Sequence, residues 1–220
     1  EHKGLDCKGI ETERGDTLPF VKRMMNAVLD AIMYHESGAR EALRRYEAAM
    51  DIMVAGEVPW EDLVLQKKLS TKAEAKADSI AWAKVNADQR ARAPGSEKAT
   101  NEQVSYVLVN GPKNAKATSL AEDPEYARAQ GMQLNLLYYK SHYVDDALRK
   151  IFRCIDLAEE YEESATRYHA KLDAKRLGVG DGLRAQLAPR GEGTSSASGG
   201  YGRVTAPRPS APAPRKRVKR

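Results

Sequence analysis

Cysteine is almost absent from the sequence, whose 220 residues include only Cys7 and Cys154. Two thiols are too few for a disulfide framework or for a structural zinc site made of cysteines, so we expect reduced thiols in an intracellular protein. The four histidines are scattered without ligand spacing, which predicts neither a metal site nor a catalytic residue. No run of about 18 apolar residues occurs, so the sequence predicts no membrane span.

Positive charge is scarce in most of the chain and is concentrated at its end. The whole chain carries a net charge of +5, but nine basic residues and only one acid follow from Gly182 onward, so residues 1–181 carry −3. Glycine, serine, proline and arginine dominate this end, and that composition predicts a disordered tail at residues 182–220. The net charge of residues 1–181 therefore does not indicate that the folded part binds a polyanion through an overall positive charge.

The tail ends in a basic cluster made of Arg215, Lys216, Arg217, Lys219 and Arg220. Three interpretations are open for it: a nuclear localisation signal, a flexible tether that binds DNA or a processivity factor, and a solubilising end. The tail has few apolar anchors for a partner, so nuclear localisation is the preferred interpretation.

Apolar spacing predicts a mainly α fold with a small β element (α+β). A first helix is predicted to begin at Asp16 or Thr17 as the N-cap, with Pro19 in its first turn. Further helices are predicted over 39–55, ended by Gly56, and over 71–91 and 135–177. Strands are predicted at 63–65 and at 104–109.

Several short segments occur in a fixed order along the first 152 residues. They are Lys-Gly-Ile-Glu-Thr at 8–12, Asp-Leu-Val-Leu-Gln-Lys-Lys-Leu at 62–69, Ala-Pro-Gly-Ser at 93–96, Val-Ser-Tyr-Val-Leu-Val at 104–109, Ala-Glu-Asp-Pro-Glu-Tyr at 121–126, and then Tyr138-Tyr139 and Leu-Arg-Lys-Ile-Phe at 148–152. In this order and spacing they resemble the thumb end of a family B DNA polymerase of the delta type.

The resemblance implies a polymerase thumb-like helical domain and a role in DNA replication. It divides the chain into the end of a palm strand with a primer-contacting motif (1–16), a thumb (17–152), an extra helix (153–181) and the tail (182–220). The extra helix is expected either to pack on the thumb or to meet a partner. The lack of cysteine-rich metal-binding modules after the thumb favours a polymerase from a large DNA virus.

The resemblance also implies an enzyme, a DNA-directed DNA polymerase that transfers nucleotides with Mg²⁺ in its full-length form. In the family, the metal-binding carboxylates lie in Ser-Leu-Tyr-Pro-Ser and Asp-Thr-Asp-Ser segments before the Lys-Gly-Ile-Glu motif, and this sequence contains neither segment. We therefore expect no catalytic residue, no metal and no activity in the chain alone. Its expected partners are primer–template duplex DNA, the palm, fingers and exonuclease domains, and possible processivity factors; its expected location is the host nucleus or a viral replication site.

A thumb grips the duplex by its phosphates, so basic side chains and N–H donors are the candidate contacts. The expected DNA-binding residues are Lys8, Gly9, Glu11, Arg14, Lys67, Lys68, Arg90, Arg92, Gly95 and Ser96. Each also has an ordinary interpretation as an exposed charge or a turn residue. Glu13 and Gly15 replace a usually apolar residue and an arginine of the family, which weakens the expected primer contact.

Trp60, Trp82, Tyr138 and Tyr139 could stack on bases, but their apolar neighbours favour core packing. Two alternatives remain open for the whole chain: a non-enzymatic helical protein whose basic tail binds nucleic acid, and an inactive polymerase paralogue.

Overall fold

The computed structural model describes residues 17–112 and 114–178. Helix α1 (Pro19–Tyr34) carries proline at its first position, as predicted, because the N–H that proline lacks has no intrahelical partner there. The N-cap position falls on Leu18, later than the predicted Asp16 or Thr17. Its buried residues include Phe20, Val21, Met24 and Val28, which recur at helical spacing and form one core face.

Helix α2 (Gly38–Ala55) follows α1 and packs against it. Its buried residues are Ala42, Tyr46, Met50 and Met53, which recur at intervals of three and four and so form one face. The helix ends at Gly56, whose φ of +82° is the left-handed conformation that glycine adopts without a Cβ clash. The sequence therefore predicted this helix and its end correctly.

The strand predicted at 63–65 is displaced along the chain. Residues Trp60–Leu63 form a turn of 3-10 helix, in which the Asp62 N–H donates to the Pro59 carbonyl at 3.1 Å, and the strand β1 is Leu65–Lys68. The Asp62 carboxylate accepts two hydrogen bonds from Arg23 of α1. This tertiary ion pair, which local pattern does not reveal, accompanies the turn.

The single helix predicted over 71–91 is two helices, α3 (Thr71–Glu74) and α4 (Ala81–Arg92). The Ser79 hydroxyl donates to the Lys76 carbonyl at 3.2 Å, and the Ile80 N–H donates to the same carbonyl at 3.0 Å. A serine that bonds to nearby backbone offers the chain an alternative to a continuous helix, which accounts for the break.

A three-stranded antiparallel sheet in the order β1-β2-β3 forms the small β element. Strand β2 (Gln103–Leu108) is central, and it pairs with β1 through Leu65 opposite Tyr106 and with β3 (Ala121–Glu122) through Leu108 opposite Ala121. Short helices α5 (Ala117–Leu120) and α6 (Pro124–Ala129) flank β3, and α4, α5 and α6 all pack on β2.

The helix predicted over 135–177 is interrupted twice. It consists of α7 (Leu136–Tyr139), a π-helical turn (Lys140–Val144), α8 (Asp145–Cys154) and α9 (Ala158–Arg176). Asp156, with a φ of +53°, marks the break between α8 and α9.

Helix α9 packs on α2, α7 and α8, so the extra helix does pack on the preceding domain. The Tyr46 ring of α2 lies 5.0 Å from the Tyr161 ring and 6.1 Å from the Tyr168 ring, and Phe152 stacks on Tyr161 at 4.7 Å between centroids. Aromatic pairs at such separations stabilise a core by about 0.5–1.5 kcal/mol beyond the area they bury. The mainly α fold with a small β element is confirmed.

Candidate nucleic-acid interface

Four of the predicted DNA contacts, Lys8, Gly9, Glu11 and Arg14, lie outside the described residues, as does the basic tail cluster at 215–220. The structure describes the six others, which are Lys67, Lys68, Arg90, Arg92, Gly95 and Ser96.

Lys67 and Lys68 lie within β1 rather than just after a strand. Lys67 is opposite Val104 and half-buried, whereas Lys68 is opposite Gln103 and exposed. After the strand, the Leu69 N–H donates to the Glu102 carbonyl at 2.8 Å, and the Ser70 hydroxyl caps α3 by accepting from the Ala73 N–H at 3.2 Å. The chain therefore passes directly from β1 into α3.

Two further exposed lysines follow at four-residue intervals, Lys72 in α3 and Lys76 just after it. We call Lys67, Lys68, Lys72 and Lys76 the lysine patch. Within 17–112 and 114–178, no carboxylate lies within 4.0 Å of the amines of Lys68, Lys72 or Lys76. Their donors are consequently available to an anion. The regular spacing could have identified Lys72 and Lys76 from the sequence, but the expected sites omitted both.

The only acid between Leu65 and Lys76 is Glu74 of α3. Its carboxylate accepts a hydrogen bond from the Thr100 hydroxyl at 3.1 Å and lies 3.7 Å from the Arg90 guanidinium. Glu74 thus joins α3, which carries Lys72, to Arg90 at the end of α4.

Arg90 has a second acidic partner in the turn that follows α4. Its Nε donates to Glu97 Oε1 at 3.0 Å, and the Gly95 N–H donates to Glu97 Oε2 at 2.7 Å. The pKa of Glu97 is lowered because its own backbone N–H, Arg90 and the Gly95 N–H all donate to the carboxylate. The Pro-Gly-Ser turn therefore binds an anion, and this anion is the Glu97 carboxylate of the same chain.

Ser96 directs its hydroxyl toward the end of α4. The hydroxyl proton faces the Ala93 carbonyl at 2.8 Å and the Gln89 carbonyl at 3.3 Å. These carbonyls also accept from the Ser96 and Ala93 N–H groups, so the hydroxyl adds a second bond at the end of the helix. Gly95 beside it has a φ of +93°, and a Cβ added there would meet no heavy atom within 4 Å. Ser96 therefore fixes the turn, while Gly95 is exposed.

Arg92 points away from the lysine patch. Its guanidinium donates to both carboxylate oxygens of Glu122 in β3, at 2.8 and 3.0 Å, and lies 3.7 Å from the centre of the Tyr126 ring. Burial lowers the pKa of Arg92, but the hydrogen bond and negative charge of Glu122 outweigh this, so the pKa is raised overall. In the structure, Arg92 joins the end of α4 to β3 and α6.

A cleft of about 580 Å³ lies on the Arg92 side of the turn. Its charged lining residues are Arg92, Lys98 and Arg128 on the positive side and Glu61, Asp123 and Glu125 on the negative side. Because these charges balance, the cleft offers a phosphate no net attraction. The described residues therefore favour the lysine patch over this cleft as the surface that meets a polyanion.

The aromatic side chains take part in packing. Tyr139 is buried, and its hydroxyl oxygen accepts from the Leu108 N–H of β2 at 2.8 Å. Tyr138 lies against His142 with ring centroids 4.1 Å apart, and Trp82 packs near Tyr106 at 6.4 Å. Trp60 is half-buried with the Arg128 guanidinium 5.3 Å above its ring.

Within the described ranges, no group of three or more His, Cys, Asp or Glu side chains is arranged to hold a metal ion. None of the helices described combines the length and apolar content needed to cross a membrane.

Comparison with known proteins identifies the family. The model of DNA polymerase family B matches residues 1–155. The chain is 26% identical over 182 residues to the DNA polymerase delta catalytic subunit of Caenorhabditis elegans, covering 81% of this chain and 17% of that protein. It is 30% identical over 152 residues to the same subunit of Drosophila melanogaster, covering 69% of this chain and 14% of that protein.

A viral relative is similar to the same extent. The chain is 26% identical over 182 residues to a DNA polymerase of Acanthamoeba polyphaga mimivirus, covering 80% of this chain and 10% of that protein. The chain thus spans only 10% to 17% of the length of these relatives. A match of this extent excludes coincidence as the origin of the ordered motifs. The chain belongs to DNA polymerase family B.

Proposed function

We propose that residues 17–152 are the thumb of a family B DNA polymerase and grip the primer–template duplex during DNA replication. The observation that carries this proposal is the lysine patch, where Lys68, Lys72 and Lys76 present exposed amines without a carboxylate partner among the residues described. Because the chain belongs to a DNA polymerase family, we take duplex DNA as the ligand. The lysine amines of the patch can donate hydrogen bonds to its backbone phosphates.

Phosphate contacts of this kind position a duplex without reading its sequence. Each lysine that neutralises one phosphate makes the logarithm of affinity fall with the logarithm of salt concentration by about 0.9. Lys67 belongs to the same patch, and Arg90 is proposed as a further phosphate contact. Lys8, Gly9, Glu11 and Arg14 belong to the proposed primer contact of residues 1–16.

Arg92, Gly95 and Ser96 have a different place in the proposal. Arg92 and Ser96 hold the turn after α4 in position through Glu122 and the helix-end carbonyls, and Gly95 presents a backbone N–H. We propose that these residues shape the duplex-binding surface, with any direct phosphate contact made by Gly95.

The full-length protein is proposed to be a DNA-directed DNA polymerase that acts in the host nucleus or at a viral replication site. Its Mg²⁺ ions would be held by the palm carboxylates of the full-length protein. The chain alone is proposed to be inactive and to work with the palm, fingers and exonuclease domains and with a processivity factor.

The test is duplex binding by the full 220-residue chain, measured by fluorescence anisotropy of a labelled primer–template duplex across a salt series. Lys68→Gln and Lys72→Gln should each weaken binding on every duplex sequence and should each lower the salt slope by about 0.9. Lys150→Gln is the matched control, because Lys150 is an exposed lysine of α8 with the same change in net charge.

The basic tail is present in all three variants, so the differences between them report the patch. Equal affinities and equal salt slopes for Lys68→Gln, Lys72→Gln and Lys150→Gln would contradict the proposed grip.

A further inference from the structure

The turn after α4 contains two donors that converge on one carboxylate. Arg90 Nε and the Gly95 N–H approach Glu97 at 3.0 and 2.7 Å, each on a different oxygen. A guanidinium and a backbone N–H in this arrangement form a charge-assisted anion site. Its present occupant lies only two residues after Gly95.

The same donors suit a phosphate. A carboxylate and a phosphodiester both offer two adjacent oxygens that share one negative charge, and arginine binds either of them. The Arg90 side chain is 59% exposed, and Gly95 is exposed as well. A phosphate can therefore reach both donors from solvent once the Glu97 side chain swings aside.

Arg90 keeps a partner when Glu97 leaves. Glu74 lies 3.7 Å from the guanidinium and is itself fixed by the Thr100 hydroxyl at 3.1 Å. Because Glu74 belongs to α3, which also carries Lys72, the retained arginine stays paired with the helix that bears this lysine. The anion site is thus connected through Glu74 to α3.

On the basis of the duplex-binding function proposed above, we propose that Arg90 and the Gly95 N–H bind a backbone phosphate of the duplex, and that Glu97 occupies this phosphate site when DNA is absent. Binding then exchanges one anion for another, and no bond is made or broken. Glu97 acts as an internal competitor that weakens the grip on DNA, whereas Glu74 positions Arg90.

The first experiment measures duplex affinity of the full chain with Glu97→Gln. Since an exposed ion pair contributes about 0.2–1 kcal/mol, removal of the competing charge should tighten binding by about 1.4- to fivefold. Glu125→Gln is the matched control, because it removes one exposed acid from the neighbouring cleft and contacts neither Arg90 nor Gly95.

A double-mutant cycle separates the phosphate site from general electrostatics. In an Arg90→Gln background, the gain from Glu97→Gln should disappear, while the smaller gain from Glu125→Gln should persist. An equal gain from Glu97→Gln with and without Arg90, or equal gains from Glu97→Gln and Glu125→Gln, would overturn the phosphate site.

A second measurement needs no DNA. The amide resonance of Gly95 is followed by NMR while inorganic phosphate is added to the full chain. The resonance should shift in Glu97→Gln at several-fold lower phosphate concentration than in the unmodified chain, and it should not shift in the Arg90→Gln, Glu97→Gln double variant. No phosphate response in Glu97→Gln would refute the site.

The two measurements separate the site from the function. Duplex binding that depends on Lys68 but not on Glu97 would leave the proposed grip standing and reject the internal competitor. A Gly95 response to phosphate in a chain that binds no duplex would keep the anion site and reject the proposed grip.

Discussion

A buried ion pair between Lys140 and Asp145 makes the most demanding prediction about stability. The Lys140 amine lies 3.0 and 2.7 Å from the two Asp145 oxygens, and the side chains are only 1% and 8% exposed. The Tyr161 hydroxyl of α9 donates to the same carboxylate at 3.1 Å. We therefore choose Asp145→Asn, which keeps the shape of the side chain but removes the charge that faces the ammonium.

The expected cost follows from the charge that would be left in the core. Removal of one partner of a buried pair typically costs about 3–5 kcal/mol, because the other charge is then buried without compensation. A domain is stabilised by only about 5–15 kcal/mol in total, so this loss is a large fraction of it. The double variant Lys140→Met, Asp145→Asn removes both charges and leaves an acceptor for Tyr161. It should be more stable than Asp145→Asn alone by at least about 1 kcal/mol.

The measurement is urea denaturation of the full chain followed by far-UV circular dichroism, with the slope of the transition checked for constancy among variants. Asp146→Asn is the matched control, since Asp146 is the exposed neighbour on the same helix. A loss within about 1 kcal/mol of the control for Asp145→Asn, or no recovery in the double variant, would refute the reasoning about the buried charge.

Two further predictions concern a helix end and an ion pair. Gly56→Ala should cost about 1–2 kcal/mol in urea denaturation, because φ is +82° and the new Cβ would lie 2.9 Å from Lys175 Nζ. Gly131→Ala, at a φ of +63° and with no heavy atom within 4 Å of a Cβ, should cost less. Arg149 lowers the pKa of Glu162 from its ordinary 4.5 by hydrogen bonding, so the stability it contributes is present above about pH 4.5 and is lost as pH falls through the lowered pKa. Urea midpoints recorded down to about pH 3 should fall less steeply for Glu162→Gln than for the unmodified chain, and parallel curves would count against this pair.

The helices whose apolar residues repeat over several turns could be predicted from the sequence alone. In α2, Ala42, Tyr46, Met50 and Met53 share one face and Gly56 follows the last turn, so local pattern and tertiary packing demand the same structure. Strand β2 is another case, because β-branched and aromatic residues precede the Asn-Gly-Pro that ends it.

The break after α3 could not be predicted, because alanine-rich sequence is compatible with a continuous helix. Helix α3 ends at Glu74, and in the segment between it and α4 the Ser79 hydroxyl donates to the Lys76 carbonyl. The break matters for the candidate interface, because it places Lys72 and Glu74 in the short helix α3 and separates them from α4. The ion pairs of Arg90 and Arg92 were likewise invisible, because Glu74, Glu97 and Glu122 are brought to them by the turns between elements.

The π-helical turn explains why the buried ion pair also escaped the sequence pattern. In a regular α-helix, positions five apart differ by about 140° and lie on nearly opposite faces. Here the Asp145 N–H donates to the Lys140 carbonyl, which widens the turn and directs both side chains inward. If this segment were a regular α-helix, one of the two charges would face solvent. The buried ion pair could therefore not be predicted without the tertiary structure.

The hydrophobic core extends into helix α9, although the family match ends at residue 155. Tyr161 and Tyr168 complete the aromatic cluster on Tyr46, and the Tyr161 hydroxyl satisfies the buried carboxylate of Asp145. Without α9, the charge pair of the π-helical turn would lose a donor and gain access to water. Helix α9, which lies beyond the family match, therefore closes the core of the described residues, whereas the lysine patch on β1, on α3 and just after it supplies the surface that we propose for DNA.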